Sequence, residues 1–390
     1  MPATDIAITG LGAISAAGNN TQETLANFSS GRRNGGPVTL FKTELNYPAF
    51  QVQNFSPLKP EAMRSLNLAF YAAEQAISDA GLENGFGSLR IGICLGTTVA
   101  SQLNDTDFYR QYRQNQTAPM DSVERYLKSN LAYELAKFFK IRAQLCTTIV
   151  NACSSGTDAI GVGLSWLRND YCDLVIAGGA DELNRVPLDG FGCLSVVSKS
   201  LCAPFDRNRS GLNLGEGAGI VILEKTNLAC KRGKTPALFL NGYGQAADAY
   251  HLTAPRPDGS GLKQALEQAL KQAEIQPEDI TFINAHGTAT KDNDLVEGKT
   301  LAKVFGPQIK FLSTKGFTGH TLGAAGGLEA VFTCLGLREN WIPANAGFQE
   351  LDPEIGIAPV NQITQIKGNY AVSTSLAFGG NNSALIIAKN

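Results

Sequence analysis

Two series of short apolar runs divide the chain, and each run has the length and the apolar, often β-branched character of a buried strand. The first series lies at residues 6–12, 91–96, 145–150, 174–178 and 219–223. The second lies at residues 237–240, 280–285, 310–313, 370–375 and 384–388. Helical stretches alternate with the runs, so the pattern predicts a layered α/β protein.

The clearest helix is predicted between the first two runs. Residues 69–80 are rich in alanine and have apolar side chains at helical spacing, and Gly81 follows as a residue that commonly ends a helix. A lysine-rich stretch at residues 225–234 separates the two series of runs. We therefore predict an N-terminal half over residues 1–230 and a C-terminal half over residues 231–390.

The two halves share a local pattern in which a reactive side chain precedes a glycine-rich helix start. Cys153 is followed by Ser-Ser-Gly, and His320 is followed by Thr-Leu-Gly-Ala-Ala-Gly-Gly. A duplicated fold would bring two such helix ends together at one site. Duplication is a hypothesis at this point, because it rests on a single shared pattern.

Composition and charge argue against several classes of function. The chain has 390 residues, of which 43% are hydrophobic and 17% are charged, and its formal net charge is −2. This balance gives no general basic field for nucleic acid, and no apolar stretch of roughly 18 residues is present to span a membrane. The first residues show no secretory signal, so we expect a cytoplasmic protein whose eight cysteines are reduced.

Cys153 is the strongest candidate for chemistry, because the chain around it is predicted to pass from a strand through a sharp turn into a helix. A helix N-terminus favours negative charge, so we expect a stabilised thiolate with backbone donors for an oxyanion nearby. The alternative is simple packing, since free cysteine is often buried and the chain contains eight. The other cysteines show neither paired spacing nor metal-ligand spacing.

Two of the three histidines, His286 and His320, follow predicted strands in glycine-bounded segments. Such positions lie at the carboxyl edge of a sheet, where open α/β sheets usually place their sites. A lone histidine is ordinarily structural, but here the rarity and the context favour a functional role. Together with Cys153, these histidines permit a nucleophile with two partners, a zinc site without an evident fourth ligand, or a Cys-His hydrolase.

Four motifs occur in order along the chain. They are Asn-Ala-Cys-Ser-Ser-Gly around Cys153, Asn-Ala-His-Gly-Thr-Ala-Thr around His286, the glycine-rich segment 315–327, and Phe-Gly-Gly at residues 378–380. Together they resemble the elongating β-ketoacyl-[acyl carrier protein] synthases, and the resemblance covers nearly the whole chain. It implies a thiolase-like α/β fold, which is a five-layer α-β-α-β-α sandwich of two pseudo-duplicated halves, and it implies a dimer.

Related thiolase-fold families differ in their reacting residues. Thiolases use a second cysteine near the C-terminus, and initiating synthases have asparagine where this chain has His320. The last cysteine here is Cys334, well before the glycine-rich terminal loop. The Cys-His-His set therefore favours the elongating type.

The resemblance implies a role for each reacting residue. Cys153 would attack the thioester of an acyl group on an acyl carrier protein and would then hold the acyl group. The backbone amides of Cys153 and Phe378 would bind the oxyanion. His286 and His320 would contact the malonyl thioester and stabilise the enolate that forms as carbon dioxide leaves.

Further residues would support this reaction or contact the substrate. Lys315 and Glu329 would support the histidines, and the charge of Lys315 would lower the histidine pKa values, although Glu329 could equally be a helix-surface carboxylate. Thr288 and Thr290 would line the pantetheine and malonyl path, with helix capping as the alternative for a threonine here. The substrate would also meet the terminal loop, which comprises Leu376, Ala377, Phe378 and Gly379.

The resemblance also implies the partners. No cofactor and no metal are expected, because the substrates arrive on the phosphopantetheine of acyl carrier protein. The second partner would be another subunit, either a copy of the chain or a related ketosynthase-like chain. Arg207 and Arg209, near the entrance, either belong to a solvated loop or dock the acidic carrier protein.

Two departures from the family pattern bear on the substrate. Ala377 stands where the family commonly has glycine, and its Cβ would disfavour a positive φ. Residues 97–140, which contribute to the dimer interface and the pocket floor in relatives, are divergent and short. Three functions stay open: a fatty-acid elongating synthase, a specialised polyketide or polyene ketosynthase working with a non-catalytic chain-length factor, and, least favoured, a non-catalytic scaffold that binds carrier protein.

Overall fold

The computed structural model describes residues 6–98, 106–128 and 130–390. The first residues, in which no secretory signal is expected, include residues 1–5, and these lie outside the described residues. So do residues 99–105 and residue 129, which belong to the divergent region 97–140.

The strands of the described residues are β1 (Ile6–Ser15), β2 (Ile91–Gly96), β3 (Ala143–Ile149), β4 (Leu174–Asp181), β5 (Gly217–Lys225), β6 (Leu238–Ala247), β7 (Ile280–Asn284), β8 (Phe311–Leu312), β9 (Trp341–Ile342), β10 (Thr364–Gln365), β11 (Tyr370–Ala377) and β12 (Asn381–Lys389). The helices are α1 (Thr21–Ser30), α2 (Arg64–Asp79), α3 (Thr106–Asn115), α4 (Asp121–Lys128), α5 (Leu131–Phe138), α6 (Ser155–Arg168), α7 (Arg185–Cys193), α8 (Thr226–Lys231), α9 (Ser260–Ala273), α10 (Lys291–Phe305), α11 (Lys315–Thr318) and α12 (Ala325–Glu339). Two 3-10 helices cover Pro277–Asp279 and Leu322–Ala324.

The main sheet of the described residues has the strand order β3-β2-β4-β5-β1-β6-β12-β11-β7-β8. The order is symmetric about the β1–β6 pair. In the first half β2 pairs in parallel with β3 and β4, and β5 is antiparallel to β4 and β1. In the second half β7 pairs in parallel with β8 and β11, and β12 is antiparallel to β11 and β6. The predicted pseudo-duplication is therefore confirmed strand by strand.

The two halves meet through a short antiparallel ladder. Ala7 of β1 lies opposite Phe239 of β6, and Ile8 lies opposite Leu238. The predicted boundary between residues 230 and 231 falls inside α8, shortly before β6 begins at Leu238. The division of the chain into halves over residues 1–230 and 231–390 stays a prediction.

Helices form three layers around the two halves of the sheet. Helix α2 packs on β1 and β5, and α9 packs on β6 and β12. Helices α6 and α12 pack on each other, and α12 contacts β4 and β5 of the first half and β11 of the second. The layers thus run helix, sheet, helix pair, sheet, helix, which confirms the predicted five-layer sandwich.

The strands are apolar because both of their faces are covered. Every residue of β1, β2 and β4 is buried, as expected for strands that lie between two helical layers. Helix α2 contains most of the predicted helix 69–80 but begins at Arg64. The backbone N–H of Ser65, in its first turn, donates to the buried carboxylate of Glu182, and Gly81 at φ 72° follows its end.

Glycines allow the two central helices to approach closely. A Cβ on Gly156 of α6 would lie 2.7 Å from the backbone nitrogen of Gly327 and 2.8 Å from the carbonyl oxygen of Gly323. A Cβ on Gly326 would lie 2.0 Å from the hydroxyl oxygen of Thr157. Because glycine occupies these positions, the N-terminal ends of α6 and α12 come together.

Within the described ranges, no helix combines the length and the apolar character that are needed to cross a membrane.

Candidate active site

The turn between β3 and α6 carries Cys153. Ala152 has a positive φ of 48°, and Ser154 occupies the cap position of α6, so the chain turns sharply at the cysteine. The Ser155 hydroxyl donates to the carbonyl of Ala152 and accepts from the backbone N–H of Asn151. The predicted strand, turn and helix are confirmed, and the thiol is 5% exposed at the helix N-terminus.

His286 follows β7 and is fixed through its backbone. Its N–H donates to the carboxylate of Glu297 at 2.8 Å and to the hydroxyl of Thr374 at 3.1 Å. The N–H of Gly287 donates to the other oxygen of Glu297. Glu297 on α10 therefore holds the turn that presents the imidazole.

His320 lies between α11 and the 3-10 helix that precedes α12. Its backbone N–H donates to the carbonyl of Asn213, and its carbonyl accepts from the N–H of Gly215. Gly319, immediately before it, has a φ of 65°, which suits glycine. Two chain segments from different halves thus hold the histidine in place.

The three predicted reacting side chains converge. The Nε2 atom of His320 lies 3.1 Å from the Sγ atom of Cys153, and the rings of His286 and His320 are 5.3 Å apart, edge to face. All three residues line one cavity of about 350 Å³. The Nζ atom of Lys315 lies 3.1 Å from Nδ1 of His286 and forms a buried ion pair with Glu329.

Both histidines are neutral at physiological pH. Burial lowers the pKa of His286 well below its usual value, and repulsion from Lys315, and from His320 when that ring is protonated, lowers it further. Burial and then Lys315 likewise lower the pKa of His320 well below its usual value. The predicted effect of Lys315 on both histidines is present, although burial contributes more.

The hydrogen bonds also define which nitrogen carries the proton. The Nδ1 atom of His320 accepts from the backbone N–H of Leu322 at 3.3 Å. The Nδ1 atom of His286 accepts from the ammonium of Lys315. A neutral imidazole has one donor and one acceptor, so both rings carry their proton on Nε2.

The thiol of Cys153 corrects one expectation. Burial raises its pKa to about 11, while the charge of Lys315 and the backbone N–H of Phe378 act in the opposite direction. The expected net stabilisation of the thiolate is therefore not found, because burial disfavours the charge more than these groups favour it. At neutral pH the resting residue is a thiol.

Comparisons with known proteins agree with this geometry. The family described as Beta-ketoacyl synthase, N-terminal domain, matches residues 3–229, and the family described as Beta-ketoacyl synthase, C-terminal domain, matches residues 238–349. The chain belongs to the β-ketoacyl synthase family. It is therefore an acyltransferase, as the motifs predicted.

Full-length relatives support the same assignment. The 3-oxoacyl-[acyl-carrier-protein] synthase 2 of Staphylococcus aureus (strain N315) is 32% identical over 98% of each chain. The structure of the ishigamide ketosynthase/chain length factor covers 99% of each chain with a TM-score of 0.92 and 30% identity. A type II PKS acyl-carrier protein in complex with its ketosynthase bound to the hexaketide covers 99% of each chain with a TM-score of 0.89 and 25% identity. The thiolase-like fold is thereby confirmed.

The buried pair behind the histidines also settles an open alternative. Glu329 is 2% exposed and lies within α12, so its interpretation as a helix-surface carboxylate is wrong. Burial raises its pKa to about 7, and Lys315 acts in the opposite direction. Among the described residues, its Oε2 atom has no hydrogen-bond partner.

The terminal loop of this ketosynthase joins β11 to β12. Leu376, Ala377 and Phe378 line the cavity, whereas Gly379 is exposed beside it. Ala377 ends β11 without a positive φ, so the expected backbone conflict at this residue is not observed. The positive φ values belong to Gly379 at 90° and Gly380 at 82°.

The ring of Phe378 has an aromatic neighbour from the first half. Phe191 on α7 stacks on it with the ring centroids 5.4 Å apart. The same Phe191 ring lies 6.4 Å from the ring of His320. Aromatic side chains therefore form the wall between the terminal loop and the histidine.

Thr288 and Thr290 both line the cavity, and their hydroxyls lie 2.8 Å apart. Thr290 occupies the cap position of α10, but its side chain makes no capping hydrogen bond. The alternative that these threonines merely cap a helix is therefore wrong.

The two predicted docking arginines are both engaged within the chain. Arg209 is almost fully buried and pairs with Asp352. Arg207 is exposed and pairs with Glu350 at 2.6 Å. Arg209 therefore stabilises the loop through its ion pair, and of the two arginines only Arg207 presents its charge at the surface.

In the part of the chain that the structure describes, no group of three or more His, Cys, Asp or Glu side chains could hold a metal ion. Cys153 and the two histidines do not form such a group, which removes the geometric support for the zinc alternative. All eight cysteines are described, and each is a free thiol.

Two carboxylates of this site were not predicted from the sequence. Glu297 holds the turn at His286, and Asp158 in the first turn of α6 accepts hydrogen bonds from Asn151 and Ser154. Each lies on a helix where an acidic residue ordinarily faces solvent. Each acid lies within the first two turns of a helix that follows a motif segment, and this position is the signal that could have identified it as part of the site.

Proposed function

We propose that this ketosynthase catalyses the decarboxylative Claisen condensation of malonyl-acyl carrier protein with an acyl group held on Cys153. One observation carries the proposal: the Cys153 thiol and the Nε2–H donors of neutral His286 and His320 meet at one cavity. A thiol can hold the acyl group, and two neutral donors can stabilise an enolate without protonating the carbon nucleophile.

In the first step the sulfur of Cys153 attacks the acyl thioester carbonyl. The backbone amides of Cys153 and Phe378 would hold the oxyanion, and the bond from the carbonyl to the pantetheine sulfur breaks. The cysteine proton ends on the pantetheine thiol, so protons balance. The N–H of His320 and the N-terminus of α6 stabilise negative charge on Sγ during attack, which offsets the burial that keeps the resting thiol protonated.

In the second step malonyl carrier protein occupies the cavity. Its carbon–carboxylate bond breaks, carbon dioxide leaves, and the electron pair forms an enolate whose oxygen accepts from Nε2–H of His286 and His320. The enolate carbon attacks the acyl carbonyl, and the bond to Cys153 breaks. The released sulfur takes up one proton, which restores the thiol.

Lys315 and Glu329 support the histidines without contacting the substrate. Lys315 donates to Nδ1 of His286 and to its carbonyl, so it sets both the tautomer and the backbone position. Thr288 and Thr290, which line the cavity, would contact the pantetheine and malonyl groups. Each hydroxyl can donate to an amide of that linker.

We propose two protein partners and a cytoplasmic location. Acyl carrier protein would deliver both substrates, so the enzyme needs no cofactor of its own, and a relative of the same fold is known in complex with its carrier protein. A second subunit would be a copy of the chain or a related ketosynthase-like chain, as in the ketosynthase/chain length factor of similar structure. Eight free thiols fit a reducing compartment.

A second candidate is a specialised polyketide or polyene ketosynthase with the same chemistry. The likeness to the ishigamide ketosynthase/chain length factor favours it, together with Leu376 and Ala377 beside Phe378 in the terminal loop. The likeness to the staphylococcal 3-oxoacyl synthase favours fatty-acid elongation. The two candidates differ in the acyl chain that reaches Cys153.

Mass spectrometry of Cys153 tests both levels of the proposal. The protein is offered saturated, unsaturated and aryl acyl carrier proteins, alone and with candidate partner chains, and then malonyl carrier protein. Acylation and condensation are expected with the native protein and not with Cys153→Ala, whereas Cys230→Ala, an exposed thiol on α8, retains both. No acylation under any condition would overturn the enzyme proposal, and acylation by saturated chains alone would overturn the specialised candidate.

A further inference from the structure

Asp158 is a buried carboxylate beside the nucleophile that the proposed reaction does not use. It is 4% exposed and lies in the first turn of α6. One oxygen accepts from the amide of Asn151 at 2.6 Å and from the hydroxyl of Ser154 at 2.8 Å. The other accepts from the hydroxyls of Tyr243 at 2.9 Å and Ser383. Four donors from three chain segments therefore hold one carboxylate.

The amide of Asn151 connects this carboxylate to the terminal loop. Its nitrogen donates to Asp158, and its oxygen accepts from the side-chain nitrogen of Asn381 at 2.7 Å. Because Asp158 can only accept, it fixes the orientation of the Asn151 amide, which then presents its oxygen to Asn381. We call the three residues Asp158, Asn151 and Asn381 the amide clamp.

The clamp joins the two backbone segments that meet at the sulfur. Asn151 lies two positions before Cys153, and Asn381 pairs with Ala377 across the turn that carries Phe378. Phe378 and Cys153 line the same cavity, and the backbone N–H of Phe378 acts to lower the pKa of the thiol. The distance between this N–H and the sulfur of Cys153 therefore depends on one hydrogen bond between side chains, that from Asn381 to Asn151.

We propose that the amide clamp positions the Phe378 amide against Cys153, so that Asn151 and Asn381 are positioning residues for transfer of the acyl group. This inference rests on the proposed function, because it concerns the oxyanion donor of that reaction. Transfer to and from Cys153 needs the Phe378 amide, whereas decarboxylation of malonyl thioester needs the two histidines. The clamp therefore affects one partial reaction and not the other.

The adjacent residue provides a matched control. Asn382 is also an asparagine of β12, but its side chain donates to Asp248, to the carbonyl of Gly380 and, at 3.5 Å, to the carbonyl of Ala246, on the opposite face of the strand. It therefore anchors the same loop without contacting Asn151. Loss of Asn382 and loss of Asn151 should act independently, while loss of Asn381 and loss of Asn151 should not.

A double-mutant cycle on the full-length protein tests the clamp. Asn151→Ala and Asn381→Ala are each expected to slow single-turnover acylation of Cys153 about tenfold, and the double variant should be slowed about tenfold as well rather than a hundredfold. Asn151→Ala combined with Asn382→Ala should show the product of its single effects. Release of carbon dioxide from malonyl carrier protein should stay within about twofold of the native rate in the two clamp variants.

Asn381→Asp keeps the shape of the side chain and guards against a folding defect. The new carboxylate places an acceptor opposite the acceptor oxygen of Asn151. If the Asn151 amide rotates to donate to this carboxylate, its oxygen faces the carboxylate of Asp158 instead. Either arrangement brings two acceptors together, so acylation should slow at least tenfold. Multiplicative effects of Asn151→Ala and Asn381→Ala, or an equal loss of decarboxylation and acylation, would overturn the clamp while leaving the proposed function intact. A native protein that does not acylate would overturn both.

Discussion

The Nε2 atom of His320 lies 3.1 Å from Sγ of Cys153, although 167 positions separate the two residues in the chain. Because Nδ1 of His320 accepts from a backbone N–H, its Nε2 donates towards the sulfur. Among the described residues His286 makes no hydrogen bond to the sulfur, and its Nδ1 accepts from Lys315. The two histidines are therefore equivalent in protonation but not in position.

This difference predicts separable defects. His320→Ala should slow both acylation of Cys153 and decarboxylation of malonyl carrier protein, because it removes a donor used in each, by about 10² to 10³-fold. His286→Ala should slow decarboxylation by a similar factor and leave acylation within about threefold of native. Single-turnover acylation and carbon dioxide release measure the two steps. An acylation defect in His286→Ala as large as in His320→Ala would contradict the assignment.

Removal of the Lys315 charge should move the acid side of the pH–rate profile. Lys315 lowers the pKa of both histidines, so Lys315→Met raises those pKa values towards the usual one and protonates the histidines at a higher pH. The acid limb of condensation should shift to higher pH in this variant. Lys310→Met, which alters an exposed lysine just before β8, should leave the limb unchanged. A profile of Lys315→Met that overlays the native one would refute the electrostatic role.

Glu182 should make the protein less stable as pH rises. Burial raises its pKa from 4.5 to about 7, with Glu216 and Asp181 adding to the effect, so the folded state binds more protons than the unfolded state across this range. Stability is therefore lost as pH increases through this window, by up to about 3 kcal/mol. Glu182→Gln removes this contribution. The free energy of unfolding of the variant, measured relative to that of the native protein, should therefore rise between pH 4 and pH 8.

Urea denaturation at a series of pH values measures this effect. Glu267→Gln, at an exposed position of α9, serves as the control and should run parallel to the native protein. A stability difference between Glu182→Gln and native that does not change with pH would contradict the shifted pKa.

The contact of helix α12 with strands β4 and β5 should tolerate no added methyl group. A Cβ on Gly327 would lie 2.4 Å from the carbonyl oxygen of Gly219 and 2.6 Å from the nitrogen of Gly179, so Gly327→Ala should destabilise the fold by about 3 kcal/mol. Gly190→Ala on α7 has no atom within 4 Å of the new Cβ and should be neutral or slightly stabilising. Thermal unfolding compares the two, and equal melting temperatures would disprove tight packing at this contact.

The sequence predicted the strands because burial on both faces makes them continuously apolar. Every strand expected from the two series of runs is present, and the shared helix-start pattern at Cys153 and His320 indicated the duplication that the sheet order confirms. The reacting residues were identifiable from their motifs. Their positions relative to one another could not be predicted, because they lie on separate segments that come together only in the folded chain.

Other properties could not be predicted from local sequence. The protonation state of Cys153 depends on the balance between burial, which disfavours the thiolate, and the helix N-terminus, which favours it. The sequence indicates the helix N-terminus but not the degree of burial. Glu297 and Asp158 resemble ordinary acidic residues near helix starts until the fold encloses them. Ala377 looked strained because of its family pattern, yet the positive φ falls on the following glycines.

The mirrored strand order has a consequence for how chemical work is divided. In the proposed reaction the first half of the duplication presents the electrophile, as an acyl group on Cys153, and the second half presents the groups that would generate the carbanion, His286 and His320. If the second half lost its chemistry, the protein would become a store for acyl groups, and if the first half lost it, a malonyl decarboxylase. In the proposed reaction, carbon–carbon bond formation therefore takes place only where the two halves of the fold face each other.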